Sequence, residues 1–114
     1  MPILYSSASP KFVTSLQAEF GVNAIAAKLD QMFGEVAILL VDAGIERLIV
    51  AGGETSGAVV EALALNILSI GPEIDPGVPA MRAGKTLTLA LKSGNFGADD
   101  FFQKAAIVLA GEIV

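Results

Sequence analysis

The stretch Arg47-Leu48-Ile49-Val50-Ala51-Gly52-Gly53-Glu54-Thr55-Ser56-Gly57-Ala58-Val59-Val60-Glu61-Ala62-Leu63 carries the strongest structural signal in the chain. Leu48 to Ala51 is a continuous apolar run between turn signals, the pattern of a strand buried on both faces between helix layers. Gly52 to Gly57 follows at once as a glycine-rich turn, and from Ala58 to Leu65 helical spacing returns through Val59, Leu63 and either Val60 or Ala62. A strand, a glycine turn and a helix together offer free backbone amides to an anion such as phosphate. Gly52 and Gly53 stand where side chains would block a ligand's close approach to the backbone, and Thr55, Ser56 and Gly57 where the helix begins. The hydroxyls of Thr55 and Ser56 can add donors, or serve instead as helix N-caps. Glu54 would repel phosphate unless Mg²⁺ lay between them or its carboxylate bound a ribose hydroxyl; its plainer role is that of a solvated turn acid.

Upstream, Pro2 to Tyr5 reads as a short strand that breaks into the small polar loop Ser6-Ser7-Ala8-Ser9-Pro10. Lys11 to Phe20 predicts a short helix with Phe12, Leu16 and Phe20 at helical spacing and Gly21 ending it. From Val22 onward Ile25, Leu29, Met32, Val36, Leu39 and Ala43 step at three and four, the longest helix, interrupted by Gly34 at a cost of about 1 kcal/mol against Ala and closed by Gly44. Downstream, Asn66 to Ile70 reads as a strand, and Gly71 to Pro79, with its three prolines and two glycines, as a rigid loop. Thr86 to Leu91 resumes strand character, and Asp99 or Asp100 caps a final helix through Ala110. This order predicts an α/β layered domain spanning residues 1–114, with a mainly parallel sheet flanked by helices and glycine-rich loops at strand ends.

In such a fold ligands bind beyond the carboxyl ends of the strands, so a second glycine turn, Lys92 to Gly97, can meet the first. Lys92 could neutralise phosphate or simply be an exposed strand-end lysine. Ser93 and Asn95 would be donors, and Gly94 and Gly97 would permit close approach. Phe101 reads as core, whereas Phe96, inside the turn, could also contact an aromatic base. Asp99-Asp100 could bind metal, but the macrodipole favours acids at a helix start and the cap reading is preferred. Gly84-Lys85-Thr86 is not the tail of a P-loop, because the required first glycine falls on Pro79 and a strand follows; the dinucleotide fingerprint fails because its second glycine falls on Glu54.

Composition narrows the chemistry. The chain has no Cys and no His, which removes disulfides, thiol nucleophiles, thiolate metal sites and imidazole bases. A net charge of -5 argues against polymeric nucleic acid, whose binding needs a basic stripe. The apolar run Val36 to Val41 falls far short of the roughly 18 residues that cross a bilayer, and Met1-Pro2 starts no signal peptide, so no membrane is expected and the chain reads as cytoplasmic. Hydrophobic residues make up 54% and charged ones 17%, an excess that predicts a homo-oligomer interface or a face that docks on another domain.

Four segments, Tyr5-Ser6-Ser7-Ala8, Ala51 to Val59, Gly71 to Pro79 and Leu91 to Gly97, occur in the order in which they closely resemble the four-carbon acid sugar kinases, also called the tetronate or 3-oxo-tetronate kinases. The match spans nearly the whole chain. The resemblance implies an ATP-dependent kinase, using Mg²⁺, that phosphorylates sugar acids such as threonate, erythronate or 3-oxo-tetronates, and it assigns this chain to the family's C-terminal nucleotide-binding domain. It carries ATP contacts over to Gly52, Gly53, Glu54 and Thr55 and to Gly94 and Asn95; Lys92 stands beside them on its charge rather than on the motif.

Family members are several times longer, with an N-terminal domain that binds the sugar acid and carries an Asp-Asp-x-Thr-Gly motif that nothing here matches. The Ser-Gly-Ser stretch that opens the family's nucleotide domain is also missing, Ala80 follows Pro79 where an aromatic residue is frequent, and Ala64 stands where glycine is common. The chain thus reads as part of such a kinase, inactive alone, with no residue assigned as catalytic and none as a metal ligand. Two other readings remain open: a non-catalytic interaction or oligomerisation module that keeps the fold, and an enzyme of another type that binds sugar phosphates.

Overall fold

The computed structural model describes residues 2–5, 9–94 and 96–111. Helices α1 (Pro10–Phe20) and α2 (Val22–Asp42) come first, followed by strand β1 (Arg47–Ala51), helix α3 (Gly53–Ala62), strands β2 (Ser69–Asp75), β3 (Val78–Ala83) and β4 (Leu87–Lys92), and helix α4 (Phe101–Ala110). Ser9 starts α1, its Oγ accepting the Phe12 N–H at 3.2 Å, with Pro10 at the first helical position. Gly34 has a packing reason within α2: a Cβ there would come within 3.0 Å of the Ala62 Cβ and 3.4 Å of the Ala58 carbonyl oxygen. Its absence lets α2 and α3 approach closely, which offsets the helical penalty. Among the described residues no helix is long and apolar enough to cross a membrane.

The four strands form one sheet in the order β1-β4-β3-β2. Only β1 and β4 run parallel; β4 with β3 and β3 with β2 are antiparallel, so the sheet is mixed and the expected mainly parallel sheet is corrected. The cause lies in the stretch from Gly71 to Pro79, read from its prolines as a loop. It forms the second half of β2, a tight turn at Pro76-Gly77 and the start of β3. Pro72 is tolerated because β2 is an edge strand, and the pairing slips on both sides of Glu73. Pro79 pairs across to Glu73 in that irregular part, ahead of the β3–β4 ladder, which begins at Ala80. Pro76 followed by Gly77 at φ 82° is the order a type II turn requires.

Two further expectations change. Residues 2–5 have no regular structure and are exposed, so the first strand is not formed, and the polar loop expected at Ser6 and Ser7 lies outside the described residues. Strand β1 is not buried on both faces: only Val50 is buried and Leu48 and Ile49 are half-buried, because β1 is the sheet's other edge.

Side chains alternate across the sheet with the strand period of two. On one face Ile74, Val78, Ala80 and Ala90 meet Phe101, Ala105 and Leu109 of α4. On the other Met81, Ala83, Leu87 and Leu89 join Leu48, Leu63 and Val41, continuous with Ala37, Val50 and Val59 where α2 and α3 cover β1. The result is a three-layer α/β/α arrangement.

Candidate functional site

Because β1 and β4 are parallel neighbours, their carboxyl ends share one edge of the sheet, with Ala51 opposite Lys92. The Gly52 N–H donates to the Lys92 carbonyl at 2.7 Å, which joins the two glycine turns at their roots. A Cβ on Gly53 would stand 3.5 Å from Ser93 Oγ, so the turns also face one another beyond the sheet. The turn at Pro76-Gly77 lies at the same edge, since β3 runs opposite to β4.

Helix α3 begins at Gly53, earlier than the periodicity of its apolar residues suggested, so that Gly53 to Gly57 form its opening turns. The Ser56 N–H makes the first helical bond, to the Gly52 carbonyl at 2.8 Å, which leaves the amides of Gly53, Glu54 and Thr55 without helical partners. No side chain caps this end. Gly52, with φ 111°, holds a backbone shape that a Cβ would strain. The Thr55 hydroxyl donates instead to Asp30 Oδ1 of α2 at 3.1 Å. Ser56 Oγ is buried and has no hydrogen-bond partner among the described residues. Glu54 and Gly57 are exposed.

In the second turn the Lys92 ammonium donates to the carbonyls of Ser93 at 3.4 Å and Gly94 at 3.2 Å, so it lies folded over its own loop. Ser93, Gly94 and Gly97 are exposed, and the donor expected at Asn95 lies outside the described residues. Phe96 sits on the hairpin turn: a Cβ on Gly77 would come within 2.7 Å of its ring, which remains 49% exposed. Phe101, by contrast, is core, as expected.

Sequence reasoning missed the anchor of this loop. The carboxylate of Asp75, 8% exposed at the end of β2, accepts the Ala98 N–H at 3.0 Å on Oδ2 and is ion-paired through Oδ1 with the Lys104 ammonium. Lys104 and the Ala98 amide hold the Asp75 carboxyl below the usual carboxylate range, and Asp75, aided by Asp100, raises the Lys104 pKa. Asp100 stands at the N-cap position of α4 but makes no side-chain cap, and pairs with Lys104 at 3.3 Å instead; this corrects the capping expectation. Asp75 lies inside the proline-rich stretch, where its neighbours argued for a loop, and Lys104 is far away in sequence. Asp30 was hidden likewise, 25 residues from Thr55. Among the described residues no group of three or more acidic side chains could hold a metal ion.

An apolar groove of about 660 Å³ runs along β1, lined in part by Ile3, Tyr5, Val36, Leu40 and Ile45, and reaches the start of α3 at Ala51 and Thr55.

These features can be set beside known proteins. A 3-oxo-tetronate kinase of Pseudomonas savastanoi pv. phaseolicola is 51% identical over 111 residues, 96% of this chain and 26% of that protein. A 3-oxo-tetronate kinase of Brucella melitensis is 49% identical over 105 residues, 91% of this chain and 24% of its own length. The chain therefore spans about a quarter of the length of the curated relatives it matches. A crystal structure of a Haemophilus influenzae protein superposes with a TM-score of 0.80 at 38% identity, covering 90% of this chain and 25% of that one. A family model described as the nucleotide-binding C-terminal domain matches residues 1–102, and to that family the chain belongs.

Proposed function

We propose that this chain is the nucleotide-holding part of a kinase for four-carbon sugar acids of the 3-oxo-tetronate, threonate or erythronate type. It forms one domain over residues 1–114 and works in the cytoplasm, with the acceptor held by a second domain. The observation that carries the reading is the junction of the two glycine turns by the Gly52 N–H to Lys92 carbonyl bond at 2.7 Å, beside the unpartnered amides of α3. The names of the kinase relatives give the chemistry its direction.

The residues present fit a nucleotide's phosphates. Gly53 leaves the approach to the backbone open, the amides of Gly53, Glu54 and Thr55 have no partner among the described residues, and the adjacent Ser56 hydroxyl is a further unpartnered donor there. Ser93 Oγ and the Gly94 amide would bound the other side, and Lys92 would turn its ammonium from the Ser93 and Gly94 carbonyls toward the phosphates. Gly97 keeps that loop tight, since a Cβ there would meet the Lys92 stem at 2.9 Å. Bound ATP supplies the transferable phosphoryl group. Mg²⁺ would be held chiefly by the phosphates themselves, with Glu54, exposed at the start of α3, as the nearest carboxylate of the turn. Phosphoryl transfer depends on positioning and charge stabilisation, so amide donors of this kind make up half of a working site.

Calorimetric titration of the chain with ATP and Mg²⁺ tests the reading. Saturable binding at or below about millimolar nucleotide is expected, with Gly53→Val abolishing it by filling the approach to the amides. Undetectable binding by a folded wild-type chain would overturn it in favour of an interaction module. That second reading draws on the exposed apolar side chains of Phe12, Phe20, Leu39 and Ile45, which self-association or docking on the acceptor domain would cover. Phosphorylation of a sugar acid by the chain alone would contradict the division of labour proposed here.

A further inference from the structure

We infer that Asp75 is the positioning residue of the second glycine turn, its buried carboxylate fastening the backbone at Ala98 so that Lys92 and Ser93 stand beside the start of α3; the inference rests on the nucleotide reading above. Within the turn the Lys92 ammonium bonds to the carbonyls of Ser93 and Gly94, but these bonds tie the turn to itself and not to the rest of the fold. Ser93, Gly94 and Gly97 are exposed, and the Phe96 N–H bonds to the Ser93 carbonyl at 3.1 Å, again within the turn. At its root the turn is fixed by the β4 ladder and the Gly52 to Lys92 bond. Its far end is fixed where the Ala98 N–H meets Asp75 Oδ2 at 3.0 Å.

Asp75 can serve as a fixed post because both of its own attachments are rigid. It ends β2 immediately before the Pro76-Gly77 turn, whose Gly77 N–H is tied to Glu73 Oε1 at 2.8 Å. Its other oxygen is paired with Lys104, which projects from α4 and is itself steadied by Asp100 at 3.3 Å. A carboxylate this buried, with both oxygens engaged, is costly to leave unpaired, so the bond to Ala98 resists opening. Phe96 adds an apolar seat on Gly77, so that the hairpin turn supports the loop at two points. The hairpin thereby acts on the nucleotide through the loop, without contributing a side chain to the phosphates.

Three proteins separate this role from general stabilisation: wild type, Asp75→Ala, and Lys104→Gln, which removes the charge and keeps a hydrogen-bond donor for Asp75. ATP with Mg²⁺ is titrated into each, and amide hydrogen exchange is followed at Ala98 and in β3 and β4 without nucleotide. In wild type the Ala98 amide should exchange more slowly than that of exposed Gly94. Asp75→Ala should remove this protection, leave β3 and β4 protected, and weaken ATP binding by about tenfold or more. Lys104→Gln should keep Ala98 protected and stay within about threefold of wild-type affinity. Equal losses in the two variants, or unchanged affinity in Asp75→Ala, would overturn the inference while leaving the nucleotide site standing. Should Asp75→Ala fail to fold, a wild-type Ala98 amide exchanging as fast as Gly94 would overturn it on its own. Absence of ATP binding by wild type would overturn the nucleotide reading, and this inference with it.

Discussion

Thr55 and Ser56 are adjacent hydroxyls at the start of α3, and the fold uses them differently. Thr55 donates to Asp30 across the helix pair, whereas Ser56 is buried without a partner among the described residues. Residue type and position made both candidate donors; the non-local partner that claims one of them is not readable from local spacing. Gly77 illustrates the same division. Its stretch reads in the sequence as a rigid loop, whereas the tight turn and the ring of Phe96 upon it, 19 positions along the chain, emerge only from the hairpin. Gly77→Ala meets two obstacles, a backbone at φ 82° and a Cβ 2.7 Å from that ring. The backbone strain alone should cost about 1–2 kcal/mol, with the ring contact adding to it. In a Phe96→Ala background only the strain should remain, so urea denaturation of the four proteins should give a smaller loss there. Strict additivity would mean that the ring does not rest on the turn.

Helices α2 and α3 end by the same device with different residues. After α2, the Ile45 N–H reaches the Leu40 carbonyl at 3.0 Å and the Gly44 N–H the Val41 carbonyl at 3.0 Å, the paired bonds of a Schellman ending. After α3, the Leu65 N–H reaches Val60 at 3.1 Å and the Ala64 N–H reaches Glu61 at 3.0 Å, but the left-handed position, φ 53°, holds an alanine. Ala64→Gly should therefore stabilise the domain by about 1 kcal/mol, seen as a higher urea midpoint with an unchanged slope. A lower midpoint would show that the Ala64 methyl group contributes more than its backbone strain costs. The end of α2 was legible from Gly44, as were α1, α2, β4 and α4, because periodicity and glycine placement are local signals; the end of α3, with Ala64 in the glycine's place, was not. The hairpin of β2 and β3 was not. Its prolines count against a strand until one knows that β2 is an edge and that Pro79 precedes the central ladder. That single misreading turned a mixed sheet into a parallel one, and it hid Asp75 within an assumed loop.

The molecule as a whole is longer than its chain length requires. Its extents are 47 × 29 × 23 Å and its radius of gyration is 15.0 Å, against about 13 Å for a compact chain of this size. Helix α1 packs mainly on α2 and contributes no buried residue, with Phe12 and Phe20 more than half exposed. The sheet, in contrast, buries Leu89, Ala80 and Ala90 completely between its helix layers. An 11-residue helix is marginal by itself, so α1 should open locally without disturbing the sheet, whereas the β3 and β4 amides should exchange only through global unfolding. In native-state hydrogen exchange, α1 amides should exchange on the order of a hundredfold faster than that of Leu89, or faster still, and a little denaturant should leave their rates unchanged. Protection of α1 equal to that of Leu89 would instead mean that its apolar face is already covered in solution by a second copy of the chain. Dilution would then restore fast exchange in α1 and leave the sheet unaltered.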